Sequence, residues 1–317
     1  HCTRIRMLAE SMKQGVFPVR VEADWLYGHG YANSLFYCDT FLVVPAVLLL
    51  LGFSVAACYG SYIVLVNLAT ALIAYFSFEK IFRSRYTGLV GSVLYTLVPY
   101  RIYNLYKRSA VGEYTAMTFL PLLVLGFYVI LTEDTEKEDY RGSWLIPTLG
   151  FSGIIQSHAL SCEIAGGMCL LLCLLCIKRV FQKKRFLALV KMAAATALLN
   201  AWFLVPFVDM TLSGDYYLSN NTRVTIQKRG LLLANLFDTM QASGSNSRFA
   251  EKGLLDTEPI NVGLAVLLGT VLWFVVRRRA DKAKETERAA GIAFVIGLLA
   301  LVMSTTYFPW DALQGLG

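Results

Sequence analysis

The sequence predicts an all-α fold, a polytopic bundle of transmembrane helices, on three observations. The mean hydropathy is +0.54, with 56% hydrophobic and 16% charged residues, a balance that excludes an ordinary soluble domain. Apolar runs long enough for hydrocarbon recur along the chain, without the roughly ten-residue alternation of a membrane barrel. Between the runs Tyr86–Pro99 and Tyr114–Leu131 stands a polar block, Tyr100–Glu113, which is costly beside lipid unless it has work to do. The net charge of +7 lies mostly in the loops, where it reports topology rather than nucleic-acid binding.

In chain order, Thr3–Gln14 places Ile5, Leu8, Ala9 and Met12 at helical spacing and reads as an amphipathic helix along the membrane surface, ended by Gly15 and Pro18. Apolar windows follow at 38–54, 57–79, 86–100, 110–131, 143–157, 159–178, 186–208, 260–276 and 289–307. Pro45 and the Gly52 end make the first of these a short helix that does not span. Residues 1–56 then form a first extracytoplasmic loop with juxtamembrane helices, and 57–317 a multi-span domain with an outer loop at about 209–258. A chain that starts at His1 and stops at Gly317 after an apolar run reads as a fragment, lacking spans at both ends.

Orientation follows from basic loops. Lys80, Arg83 and Arg85, the six cations of 178–191, and the six of 277–288 are expected in the cytoplasm, with the acidic Glu133–Asp139 on the same side. Parity puts residues 1–37, 100–110, the Ser157-His158 corner, 209–258 and Phe308-Pro309-Trp310-Asp311 outside.

Several of these segments carry a resemblance. His1-Cys-Thr-Arg4-Ile5, Gly15-Val-Phe17-Pro18-Val-Arg20, Gly28-His-Gly30-Tyr31, Pro99-Tyr100-Arg101, Arg108-Ser-Ala-Val-Gly112-Glu113, Phe119-Leu120-Pro121-Leu122 and Ser157-His158 resemble YfhO-like bacterial membrane proteins. That family resembles the GT-C superfamily of polytopic glycosyltransferases, and the likeness covers roughly residues 1–210. It implies a bundle of GT-C type in the bacterial cytoplasmic membrane, using a polyprenyl-phosphate sugar at the outer face for a glycan, lipid or protein acceptor. It also implies that the catalytic acid stands just before the position of His1.

Such transfer needs a base for the acceptor, cations for the leaving phosphate and an apolar groove for the lipid. Arg101, Lys107 and Arg108 are the candidate phosphate ligands, Arg with bidentate donors and Lys as a point charge. The bland reading makes them snorkelling anchors, with Tyr100, Tyr103 and Tyr106 as an aromatic belt. Glu113 either orients Arg108 or binds a sugar hydroxyl, or simply favours a helix N-terminus. His158 either contacts phosphate or acceptor, or caps its turn. His1 and Arg4 share one helix face and are candidate substrate contacts, and Asp24 is a candidate catalytic carboxylate among the first-loop residues Arg20, Glu22, His29 and Asp39. No cofactor is implied. A divalent metal would have to use His1 with Asp24 or Asp39, without the tight spacing of a dedicated site.

Glu163, one turn inside its span, reads as a polar contact between helices. Cys169, Cys173 and Cys176 form an apolar stripe rather than a metal site. Gly166-Gly167 reads as a close helix approach. Two other functions fit the same cations, a flippase or transporter for a lipid-linked glycan and a noncatalytic membrane scaffold.

Overall fold

A computed structural model describes residues 1–214, 230–232, 262–276 and 284–313. Among them the chain is helical, with two isolated bridge pairs, Glu22 with Tyr31 and Leu231 with Thr305. It forms two compact units: His1–Thr96 with Arg108–Gly214, and Leu97–Lys107 with Asp215–Gly317.

The first unit holds α1 (Cys2–Lys13), α2 (Asn33–Phe36), α3 (Val43–Leu50), α4 (Val55–Phe82) and α5 (Arg85–Thr96). The second unit's α6 (Pro99–Tyr106) follows, and the chain returns to the first with α7 (Val111–Thr132), α8 (Leu145–Ile155), α9 (Ala159–Leu175), α10 (Ile177–Val180) and α11 (Lys183–Ser213). Three helices, α4, α7 and α11, are long and apolar enough to cross a membrane and mark a membrane protein. Of their apolar windows, 56% of α7 is buried against 28% of α4 and of α11, so α7 is the central helix. Leu65, Leu68, Leu72 and Phe76 of α4 and Leu198, Val205, Val208 and Leu212 of α11 stay exposed, as lipid-facing residues would.

Three of the apolar windows give short helices in the structure. Residues 38–54 give a 3₁₀ turn, Thr40–Leu42, and the eight-residue α3, about 12 Å long and too short to cross the bilayer, in line with the non-spanning expectation. The 86–100 run breaks before Pro99, because proline pushes Val98 out of helical geometry (ψ 134°) and then starts α6 in its first turn. The 143–157 run yields the 11-residue α8.

Helix directions follow from side-chain contacts. Tyr62 bonds Thr115 at 2.7 Å and Thr70 bonds Thr118 at 2.8 Å, so α4 and α7 run parallel. The α7–α8 approach depends on glycine: a Cβ on Gly153 would lie 2.3 Å from Phe119, on Gly126 2.4 Å from Pro147, and on Gly150 2.7 Å from the Leu123 nitrogen. Their order makes α8 antiparallel to α7. The sequence pointed instead to Gly166-Gly167, but a Cβ on Gly167 meets nothing within 4 Å and one on Gly166 makes only ordinary contact.

Two prolines inside long helices are compensated in the same way. Pro121 cannot donate to the Met117 carbonyl, and the Tyr95 hydroxyl does so at 2.5 Å. Pro206 leaves the Trp202 carbonyl free, and Arg20 donates to it at 2.5 Å, its guanidinium 5.4 Å from the Trp202 ring. The second contact ties the first loop to α11.

The apolar face of α1 does not lie on lipid as expected. Ile5, Leu8 and Ala9 are buried, and α1 packs on α3 and α4. A protein surface of apolar helices is at hand and takes that stripe. The bundle is thus polarised. The first loop and the starts of α4, α7 and α9 collect at one end. Arg83, Glu133, Glu136, Arg179, Lys184 and Arg185 collect at the other, where Arg83 meets Glu133 and Lys184 meets Glu136.

In the second unit, the described helices are α6, α12 (Leu264–Val276), α13 (Lys284–Met303) and α14 (Trp310–Leu313). Trp273, Phe274 and Phe294 form an aromatic cluster between α12 and α13, and the Trp310 indole donates to the Met303 carbonyl at 2.9 Å. The outer loop expected at 209–258 lies outside the described residues apart from 209–214 and 230–232.

Candidate functional site

The polar end of the first unit is organised by the first loop. From α1, Arg4 forms an ion pair with Asp39, whose other carboxylate oxygen accepts from Ser34. The Ser34 hydroxyl also lies 2.9 Å from Glu22 Oε1. Glu22 is 2% exposed because the Glu22–Tyr31 backbone bridge turns it inward. Burial pushes its carboxyl above the usual range; the Ser34 bond opposes this, and the Asp39 charge adds to it.

A second polar line runs from the loop into the helices. The Cys38 thiol and the Thr40 hydroxyl both donate to Gln156 Oε1, at 2.6 and 2.5 Å. Gln156 donates to Asn200 at 2.7 Å, and Asn200 donates to Ser152 at 2.8 Å. Burial raises the Cys38 thiol, so it serves here as a hydrogen-bond donor and not as a nucleophile.

Above these lines stand the other predicted residues. The Arg4 guanidinium lies 5.5 Å from the Tyr37 ring, and that ring is 5.9 Å from His158. Arg108 pairs with Glu113 at 2.9 Å. His158 caps α9: its Nδ1 accepts from the Ser161 amide at 3.3 Å and lies 2.9 Å from the Ser161 hydroxyl. Desolvation holds His158 below its ordinary value, partly offset by the Glu113 charge. Gly112 allows this meeting, since a Cβ there would lie 2.7 Å from the Ser157 carbonyl. His1 donates from Nε2 to the Ser109 carbonyl at 2.7 Å and stacks on Tyr59, so the start of the chain and the Arg108 corner touch. Between them is a cavity of about 10 Å³, lined among others by Arg4, Tyr62, Gly112, Thr115, Gln156 and Ser157, with room for about one water.

The structure thus brings together His1, Arg4, Arg108, Glu113 and His158. Arg101 and Lys107 belong to the second unit, where Arg101 is fully buried on α6 and Lys107 lies 5.8 Å from the Tyr103 ring. Asp24 is exposed, with no hydrogen bond or ion pair among the described residues, whereas Glu22, on the same turn, points inward. Glu163 is exposed and makes no described contact between helices, because it sits near the start of α9 on a face that no helix among the described residues covers. Among the described residues no group of three or more His, Cys, Asp or Glu could hold a metal, and His1 and Asp39 are engaged elsewhere.

Sequence reasoning passed over the Glu22–Ser34–Asp39 line and the Gln156–Asn200 pair. Asn200 was findable as an amide inside an apolar run. Glu22 was not, since only its bridge to Tyr31 sets it apart from the other loop acids.

No protein-family model matches the chain, and no curated protein or solved structure matches it either.

Proposed function

We propose that the protein is a membrane glycosyltransferase of the GT-C type, moving a sugar from a polyprenyl-phosphate-linked donor to a cell-envelope acceptor on the outer face of the bacterial cytoplasmic membrane. The observation that carries this reading is the meeting of the first loop with the Arg108 corner. Arg4, Arg108, His1, Glu113 and His158 gather at one end of a helical unit, opposite Arg83, Arg179, Lys184 and Arg185 of the same unit. Outer cations run against the positive-inside trend and call for an anionic partner. Arg4 and Arg108 hold the donor phosphate, each already balanced by a carboxylate that orients it. Glu113 and His158 position the sugar or acceptor, and apolar faces of α4 and α11 carry the lipid chain. The present cavity admits no phosphate, so donor binding parts the first loop from the start of α7.

A second reading, a flippase for the same lipid-linked sugar, draws on the buried Gln156–Asn200–Ser152 line, which continues polar character into the helices. The test is incubation of the membrane-embedded protein with radiolabelled polyprenyl-phosphate sugars. Transfer of label, lost in Arg108→Ala and in Arg4→Ala, supports the enzyme. Label that crosses the bilayer without a new glycosidic bond supports the flippase. Full transfer and full donor binding in both variants removes the phosphate assignment.

A further inference from the structure

The buried line Arg4–Asp39–Ser34–Glu22 has a proton count that two ionised carboxylates cannot satisfy. A serine hydroxyl carries one hydrogen, and an ionised carboxylate only accepts. Ser34 Oγ is within hydrogen-bond reach of both Glu22 Oε1 and Asp39 Oδ2. With both acids ionised, one of those contacts would hold no proton, and two like charges would face each other across a buried hydroxyl. One additional proton completes the line: a carboxylic acid donates to Ser34, and Ser34 donates to the remaining carboxylate.

The surroundings decide which acid holds it. The Arg4 guanidinium pairs with Asp39 Oδ1, so Asp39 is the anion. Glu22 has no cation in contact among the described residues, is 2% exposed, and its Oε2 is buried without a hydrogen-bond partner among them. A neutral acid leaves there only an unpaired carbonyl oxygen, far less costly than half of an unpaired carboxylate. The charged groups acting on Glu22 are Asp39, which opposes its ionisation, and the more weakly felt Arg4, which favours it.

We propose that Glu22, Ser34 and Asp39 form a proton-binding site, in which a protonated Glu22 donates through Ser34 to an Asp39 carboxylate fixed by Arg4, and that this proton holds the first loop closed on the helices. The site stands whether or not the protein transfers sugars. Loss of the proton leaves two anions for one guanidinium and drives the loop open. The sign is that of an acid more easily protonated when folded: stability falls as the pH rises from about 4.5 toward the raised folded value, then levels. His158 acts oppositely, adding stability as the pH rises toward 6.5.

The test uses the full chain in lipid nanodiscs. Infrared spectra recorded through a pH titration are expected to show a protonated-carboxyl C=O band that outlasts those of the exposed acids, that moves when Glu, and not Asp, carries a carbon-13 side-chain carboxyl, and that is lost as the pH is raised further. Glu22→Gln, whose amide can still donate to Ser34, is expected to lack the band and to lose the fall of stability with pH in the acid-to-neutral range. The absence of the band from the wild-type protein, its movement with the Asp label, or its persistence in Glu22→Gln each overturns the proposal. The isotope labels on the wild-type protein decide between the two acids even if Glu22→Gln fails to fold.

Discussion

The two ends of the first unit use the same residue types for different ends. At the basic end, cations serve backbone and surface. Arg185 donates to the Ile130 and Glu133 carbonyls at 2.5 and 3.0 Å, Arg179 to the Leu131 carbonyl at 3.0 Å, and the Tyr140 hydroxyl to Ile130 at 3.0 Å. These satisfy the carbonyls that α7 leaves open at its C-terminus, where the helix dipole also favours cations. Arg83 and Lys184 then meet Glu133 and Glu136 in contact with solvent. At the other end, Arg4 meets a carboxylate rather than carbonyls, with side chains only 12% and 10% exposed, and the acids outnumber the cations in the buried line. A charge that closes a helix needs no counter-ion. A charge buried beside two acids fixes geometry and protonation, which is what a site requires and a helix end does not.

The largest effect that would break this contrast is expected at the polar end. Asp39→Ala strands the Arg4 cation in a mostly buried setting and is expected to cost about 3–5 kcal/mol, read by chemical denaturation in detergent. A loss below about 1 kcal/mol would place the pair with the solvent-exposed ones. Arg185→Ala comes next, about 2–3 kcal/mol, because it removes charge-assisted bonds to two carbonyls. Gly153→Ala tests the packing that holds the two ends in register: its Cβ would overlap Phe119 and is expected to cost about 1–3 kcal/mol. Tyr95→Phe reopens the Met117 carbonyl beside Pro121 and is expected to cost about 1 kcal/mol. Arg83→Ala sharpens the comparison from the far side. At 74% side-chain exposure its pair with Glu133 is expected to contribute under about 1 kcal/mol and to fade in high salt, whereas the Asp39→Ala loss persists there.

How far these features could be read beforehand depends on how local their cause is. The three long helices and the stop after α1 follow from runs and single residues acting on their neighbours. Length misled where an apolar run was taken as one element: 143–157 and 86–100 carry the composition of spans but end early at turns and proline. Of the site, Arg108, Glu113 and His158 stood out as charges beside apolar runs. Asp24 stood out equally, yet the chain turns it to solvent and Glu22 inward, a choice made by one pair of backbone hydrogen bonds to Tyr31.

By itself the sequence determined the class of molecule, a helical membrane protein, and which loops hold its cations, because hydropathy and charge act residue by residue. Only the tertiary structure decided that α1 turns its apolar face to α3 and α4, that Gly126, Gly150 and Gly153 rather than Gly166-Gly167 bring helices close, and that Ser34 lies between two acids. Those outcomes depend on distances between residues far apart in the chain, which close packing and buried hydrogen bonds set.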